Sequence, residues 1–150
     1  MNAPAPAFTP ADPGFAARVR NSFGRQKAMV LVGARLVAVE PGWCEIELPY
    51  RDDLTQQKGF IHGGVIGMIA DSACGYAAYS LMPASSSLVT VEYKINILAA
   101  AKNRGMLKAT GHVIKPGRTL SIARADVHEG ATLVAVMQQT LMMLADTPDE

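Results

Sequence analysis

The stretch from Gly64 to Met82, GVIGMIADSACGYAAYSLM, is apolar throughout, ends at Pro83 and contains one formal charge, Asp71. A run of this length nearly suffices to cross a bilayer. An aspartate at a helix centre costs about 3 kcal/mol to insert, however, no basic cluster flanks the run, and many of its residues are small rather than lipid-like. The segment therefore reads as a helix enclosed by protein. Gly64, Gly67, Ala70, Ala73, Gly75, Ala77 and Ala78 are spread around its circumference, so neighbouring backbone can approach from most directions. Interior glycines cost about 1 kcal/mol each, which makes sense where close packing is needed.

The rest of the chain supplies a sheet to enclose it. Leu31 to Glu40 is rich in strand-forming residues, Pro41-Gly42 supplies a turn, and Cys44, Ile46, Leu48 and Tyr50 alternate with Trp43, Glu45 and Glu47, which predicts a hairpin. Ser87 to Leu98 is the clearest strand. Val89, Val91, Tyr93, Ile95 and Ile97 are expected on one face, and Thr90, Glu92, Lys94 and Asn96 on the other. Met106 to Ile114, Thr119 to His128 and Leu133 to Leu144 complete the set, and their short connections imply antiparallel neighbours. Near the start, Asp12 offers an N-cap and Pro13 a first helical position for a short helix to about Gln26. Phe15, Val19 and Phe23 form its apolar stripe, with Arg18, Arg20 and Arg25 spread elsewhere. The expected division is a flexible tail over 1–13, a flanking helix over 14–27, an α+β domain over 28–145 and a tail over 146–150.

A chain of 150 residues with 49% hydrophobic content can fill one sizeable core and have apolar surface to spare, so an oligomer is expected. The net charge of +1 gives no broad positive field for nucleic acid. Cys44 and Cys74 form no CxxC pair, and His62, His112 and His128 show no metal-ligand spacing. Free thiols in a reducing compartment are the simpler reading. The opening MNAPAPAFTPADPG lacks a basic region and is broken by prolines, unlike a secretory signal, so a cytoplasmic location is expected.

Asp71 needs a reason to be where it is, because a carboxylate in such surroundings loses hydration worth several kcal/mol unless it is paired or protonated. A structural ion pair or a solvent-facing position would be reason enough. Against these stands the preceding His62-Gly63-Gly64, where glycines at a helix start expose amide donors at the positive end of the dipole. Gly63 and Asp71 are eight residues apart, roughly 12 Å along a helix, so they cannot both touch one carbonyl. If both serve one reaction, the amide of one chain must face the carboxylate of another across a two-fold axis.

Gln56 to Asp71, read as Q-x-x-G-x-x-H-G-G-x-x-x-x-x-x-D, resembles the signature of hotdog-fold acyl-CoA thioesterases of the phenylacetic acid degradation (PaaI-like) group. Leu88-Val-Thr-Val-Glu-Tyr and His112-Val-Ile-Lys-Pro-Gly-Arg-Thr-Leu120 resemble the later strands of that family, so the likeness runs from about Ala28 to Leu144. It implies a curved antiparallel sheet wrapped around a long central helix, in dimers or in tetramers made of two dimers. By the family pattern Asp71 is base or nucleophile, the Gly63 amide is the oxyanion donor, and Gln56 sits beside the reacting carbonyl or water. Thr90 would help to place that water, although strand alternation puts it on the face away from the helix, with access only at the strand end. His62, beside its two glycines, fits the holding of the loop better than catalysis.

The resemblance assigns coenzyme A to Ile97 through Lys102 and Lys115 through Leu120, with Gly64 at the helix start. Lys102, Lys115 and Arg118 would meet phosphates, and Gly117, Thr119 and Leu120 would line the path. Thioester hydrolysis by this set needs no metal or cofactor. Met68, Ile69 and Tyr76 would suit aryl or aliphatic acyl groups alike. Two other readings are an acyl-CoA sensor without turnover and a hotdog enoyl-CoA hydratase. The first has no need of a buried Asp71, and the second pairs aspartate and histidine differently.

Overall fold

A computed structural model describes residues 8–149. Six strands form one antiparallel sheet: β1 (Arg35–Glu40), β2 (Trp43–Leu48), β3 (Ser87–Ile97), β4 (Leu107–Lys115), β5 (Leu120–Glu129) and β6 (Thr132–Leu144), in the order β1-β2-β4-β5-β6-β3. The sheet curls around the helix α3 (Gly63–Tyr79), which is the α+β arrangement expected for the apolar segment. Among the described residues no helix is long and apolar enough to cross a membrane. Ala70, Ala73, Cys74 and Ala77 of α3 are fully buried against Ile46, Leu48, Ala109, Ala123 and Ala125 of the sheet.

The closest approach of helix and sheet is made by a strand glycine. A Cβ at Gly111 on β4 would lie 2.2 Å from the carbonyl oxygen of Ala73 and 2.7 Å from the amide of Cys74, so only glycine fits there. Three of the four glycines of α3 have more room than the sequence suggested. Cβ atoms at Gly63, Gly67 and Gly75 would find their nearest neighbours only at 3.9 Å, on β3. Together with Asp71 these glycines recur every fourth residue, so they line a groove between α3 and β3 instead of a tight contact.

Several expectations need correction. The strand expected from Leu31 begins at Arg35, because Lys27–Val32 forms a short helix α2 that Gly33 ends in the left-handed conformation, at φ +77°. The first helix, α1 (Phe15–Arg25), starts two residues after Pro13, and the Asp12 side chain instead accepts from the Gly14 amide at 2.8 Å. Of the expected flexible tail over 1–13, residues 1–7 lie outside the described residues. The remainder is held to the body, with Ala11 bonded to the Leu81 carbonyl and Asp12 paired to Arg18 at 2.9 Å. Arg18 is no loose surface charge either, since it donates to the carbonyls of Tyr79, the last residue of α3, and of Met82 just beyond it. The connection through Asn103-Arg104-Gly105 does not join neighbours: β3 pairs with β6, and β4 lies between β2 and β5.

The largest departure lies within β3. Thr90 pairs with Leu141 and Glu92 with Thr140, so Val91 is an extra residue that forms a bulge. A bulge reverses the alternation beyond it. Leu88 and Thr90 face α3 before it, and Tyr93, Ile95 and Ile97 face α3 after it. Val89 and Val91, expected over the helix, are instead 41% and 52% exposed.

Candidate active site

Asp71 is half-buried on the groove side of α3. The Thr90 hydroxyl donates to its Oδ1 at 2.8 Å, and the Gln139 side-chain amide donates to the same oxygen and, at 2.8 Å, to Thr90 Oγ1. The bulge is what turns Thr90 toward the helix, so the obstacle expected from strand alternation is absent. Asp71 Oδ2 has no protein partner among the described residues and remains free for a reactant. Asp71 and Thr90 open into a cleft of about 190 Å³, which continues past Gly75 and Tyr76 to Ser22, Gln26 and Asp149.

Gln139 was not singled out in the sequence. It is 1% exposed on β6, between the inward-facing Met137 and Leu141, and its Oε1 is buried without a partner. The available signal was a polar residue at an inward position of a strand that is otherwise apolar on that face.

The other half of the expected site lies elsewhere in the chain. His62 is the N-cap of α3, and its Nδ1 accepts from the Gly64 amide at 2.9 Å. The amides of Val65 and Ile66 both bond to the His62 carbonyl. Of the four amides at this helix start, only that of Gly63 has no partner among the described residues. Gln56 sits in the preceding turn, where its Oε1 accepts from the Lys58 amide and its Nε2 stays free. Gln56 and Gly63 line a second cleft of about 330 Å³, with Ile66 and Ile97 through Ala101. The Ile61 amide bonds to the Ala101 carbonyl, which ties this helix start to the segment that ends in Lys102.

Within one chain the structure thus keeps the two halves of the expected site apart, as the helix rise between Gly63 and Asp71 predicts. Thr90 lies near the start of β3 and Ile97 at its end, seven residues apart or roughly 23 Å. The two coenzyme segments divide in the same way. Leu120 pairs with Met142, which pairs with Val89, so Lys115 at the end of β4 and the loop carrying Gly117, Arg118 and Thr119 lie at the Asp71 end of the sheet. Lys102 lies at the Gly63 end, on a loop held by Glu129, whose carboxylate accepts from the Asn103 and Gly105 amides. Lys102, Lys115 and Arg118 are all exposed.

Cys44 and Cys74 are free and buried, and burial pushes both thiols well above their ordinary value. Among the described residues no cluster of three or more histidine, cysteine or acidic side chains could hold a metal ion.

Comparison with known proteins gives the arrangement its context. Residues 58–136, just over half of the chain, match the family model of the thioesterase superfamily. A thioesterase family protein from Silicibacter pomeroyi shares 43% identity over 88% of this chain and 99% of its own, with a TM-score of 0.83. The PaaI protein from the phenylacetic acid degradation operon of E. coli has the same fold, at a TM-score of 0.81 over 88% of this chain and 94% of its own, with 16% identity. Human acyl-coenzyme A thioesterase 13 is 28% identical over 103 residues, 69% of this chain and 73% of that protein. A Saccharolobus solfataricus protein named as an esterase is 30% identical over 92 residues, 61% of this chain, and the chain spans less than two thirds of that relative, 64%. With a six-stranded sheet curled on one long helix and a family match that takes in His62-Gly63-Gly64, Asp71 and Thr90, the chain belongs to the thioesterase superfamily, as a hotdog-fold protein.

Proposed function

We propose that the protein hydrolyses the thioester bond of an acyl-CoA to a free acid and coenzyme A, at a site shared by two copies of the chain. The observation that carries this reading is the division of the catalytic groups. Asp71 and Thr90, backed by the buried Gln139, open into one cleft, while Gln56 and the unpartnered Gly63 amide open into another at the far end of β3.

β3 is itself the element that would join them. It is an eleven-residue edge strand, and Val89, Val91, Tyr93 and Ile97 along it are all more than 40% exposed. A long apolar edge of this kind is a template for pairing with another strand. Antiparallel pairing with a second copy, about a two-fold between Tyr93 and Lys94, sets Thr90 across from the Ile97 of that copy. Asp71 of one chain then faces Gly63 and Gln56 of the other. The same operation brings Lys115, Arg118 and Thr119 toward the other chain's Lys102, which reunites the coenzyme segments. A dimer is the smallest complete enzyme, and a tetramer of two dimers would hold four sites.

In the reaction, the Gly63 amide at the positive end of α3 donates to the thioester carbonyl oxygen and stabilises the negative charge that develops on it. The Gln56 amide supports the same carbonyl or the water. Asp71, its Oδ1 fixed by Thr90 and Gln139, presents Oδ2 either as a base toward water or as a nucleophile toward the carbonyl carbon. His62 acts through the helix start: by satisfying the Gly64 amide it leaves that of Gly63 as the open donor. The two free, buried thiols fit a cytoplasmic setting.

The test is thiol release from a panel of phenylacetyl, hydroxybenzoyl, short-chain and long-chain acyl-CoA thioesters, with Asp71→Asn as control. Turnover of at least one thioester is expected, with loss of about two to four orders of magnitude in the variant. Tight acyl-CoA binding with no release from any thioester would support the sensor reading instead.

A further inference from the structure

Four residues, Ser22, Gln26, Tyr76 and Asp149, line two cavities at once: the cleft of about 190 Å³ that starts at Asp71 and an outer one of about 280 Å³ that also meets Arg25. They form the partition between the two. Either cavity alone falls short of the roughly 300–1,000 Å³ of a drug-sized ligand site, whereas the two joined fall within that range.

Only one of the four can step aside. Tyr76 and Ser22 are each 8% exposed on helices, with their hydroxyl oxygens 3.2 Å apart, and Gln26 is tied to α3 by the Ser72 hydroxyl, which donates to its Oε1 at 3.2 Å. Asp149 instead lies on the segment 145–149 after β6, which is exposed at every position and turns away from the sheet through Asp146, left-handed at φ +52°. Among the described residues, every hydrogen bond from this segment to the body of the protein is made by Asp149. Its carboxylate accepts from Ser22, and its carbonyl accepts from Arg25 at 2.7 Å. The Arg25 guanidinium also pairs with the carboxylate at 3.3 Å, but the two side chains are 42% and 38% exposed, and a pair so open to water holds weakly. Release strands nothing either. The carboxylate regains its hydration in solvent, and Ser22 and Tyr76 keep each other as hydrogen-bond partners.

Resting on the thioesterase reading above, we propose that Asp149, latched by Arg25 and Ser22, is a displaceable stop that sets the acyl-length limit of the site. With the latch closed, an acyl group ends at the partition. A long chain enters only by pushing segment 145–149 aside and running on into the outer cavity. Arg25 and Asp149 both lie outside the family-matched residues 58–136, so the stop is supplied by the parts of the chain that flank the matched core.

The experiment measures Kd by calorimetry for two coenzyme A thioethers, S-butyl-CoA and S-decyl-CoA, which the protein cannot hydrolyse. Contacts to the coenzyme are common to both ligands and cancel in the ratio of their affinities. In Arg25→Ala, and in a chain lacking residues 146–150, the preference for decyl over butyl should rise at least about fivefold above that of the unaltered protein. Salt screens the exposed Arg25–Asp149 pair, so in the unaltered protein the preference should rise with salt more steeply than in Arg25→Ala. A ratio that is the same in all three proteins at each salt concentration overturns the stop and leaves the thioesterase reading standing. Thiol release from butanoyl-CoA and decanoyl-CoA is read alongside. A ratio that responds as expected, with neither thioester cleaved by the folded unaltered protein, keeps the stop and overturns the thioesterase reading.

Discussion

Gln139 on β6 donates its side-chain amide to Asp71 on α3, and this places a fully buried polar side chain behind a half-buried carboxylate. Both amide hydrogens are used, one on Asp71 Oδ1 and one on Thr90 Oγ1, while the carbonyl Oε1 stays buried without a partner. An orphaned acceptor of that kind costs about 1–3 kcal/mol, a cost that goes with holding Asp71 in one orientation.

Replacing Gln139 with leucine should therefore separate stability from activity. The melting temperature should hold or rise, while kcat falls about tenfold or more and KM changes little. A variant with reduced stability and an unchanged kcat would mark Gln139 as packing alone.

Asp71→Asn and Gly63→Pro should each be inactive, the second because proline has no amide hydrogen to offer. When the two are mixed under conditions that exchange subunits, half of the sites in a heterodimer pair an intact Gly63 with an intact Asp71, so activity should return. If mass measurements show exchange and no activity returns, the shared site is wrong.

Arg118 is exposed on the β4–β5 loop, where a coenzyme phosphate would screen it from water only in part. Arg118→Ala should raise KM with little change in kcat, and the effect should shrink as salt increases. A KM that is the same for both proteins at every ionic strength would remove this loop from the coenzyme path.

Chelation is the simplest check on the chemistry. Turnover should survive EDTA, because an amide donor and a carboxylate suffice for the reaction. Loss of activity that a divalent ion restores would call for metal assistance.

The two thiols give a pH test. Their folded-state values are raised above the ordinary 9.0, so the stability they contribute is complete below about that pH and is lost as pH rises beyond it, when ionisation favours the unfolded chain. A thiol reagent should label the native protein slowly at neutral pH and both cysteines promptly in denaturant. The melting temperature should fall above pH 9 less steeply in Cys44→Ala than in the unaltered protein. Rapid native labelling would show that the pair is accessible.

Much of this was legible in the sequence. The lone Asp71 in an apolar helix and the His62-Gly63-Gly64 helix start are local signals, and helix rise alone showed that they could not act together within one chain. Alternation marked the strands, while the curl of the sheet around the helix was implied by the family resemblance. What stayed hidden depended on partners far away in sequence. Gln139 reads as one more polar residue in a strand until its neighbours across the groove are known. Gly111 likewise looks like a weak point in β4, and only the backbone of Ala73 explains it. The strand expected from Leu31 overlaps only the last two residues of α2, Leu31 and Val32, because the β-branched content of that stretch favours strand, whereas Gly33 ends a helix there.

The extra residue at Val91 gives β3 two phases, and the two are not interchangeable. Ahead of it the even-numbered positions face the groove and hold Thr90 on Asp71; behind it the odd-numbered positions do so, and Ile97 reaches the Gly63 end. Deleting Val91 would not merely shorten the strand. It would put one half out of step, turning either Thr90 away from its carboxylate or Tyr93, Ile95 and Ile97 away from the groove. Parity along this strand is thus part of the proposed site, and a single-residue deletion with Asp71, Thr90, Gly63 and Gln56 all still present should abolish thioester hydrolysis.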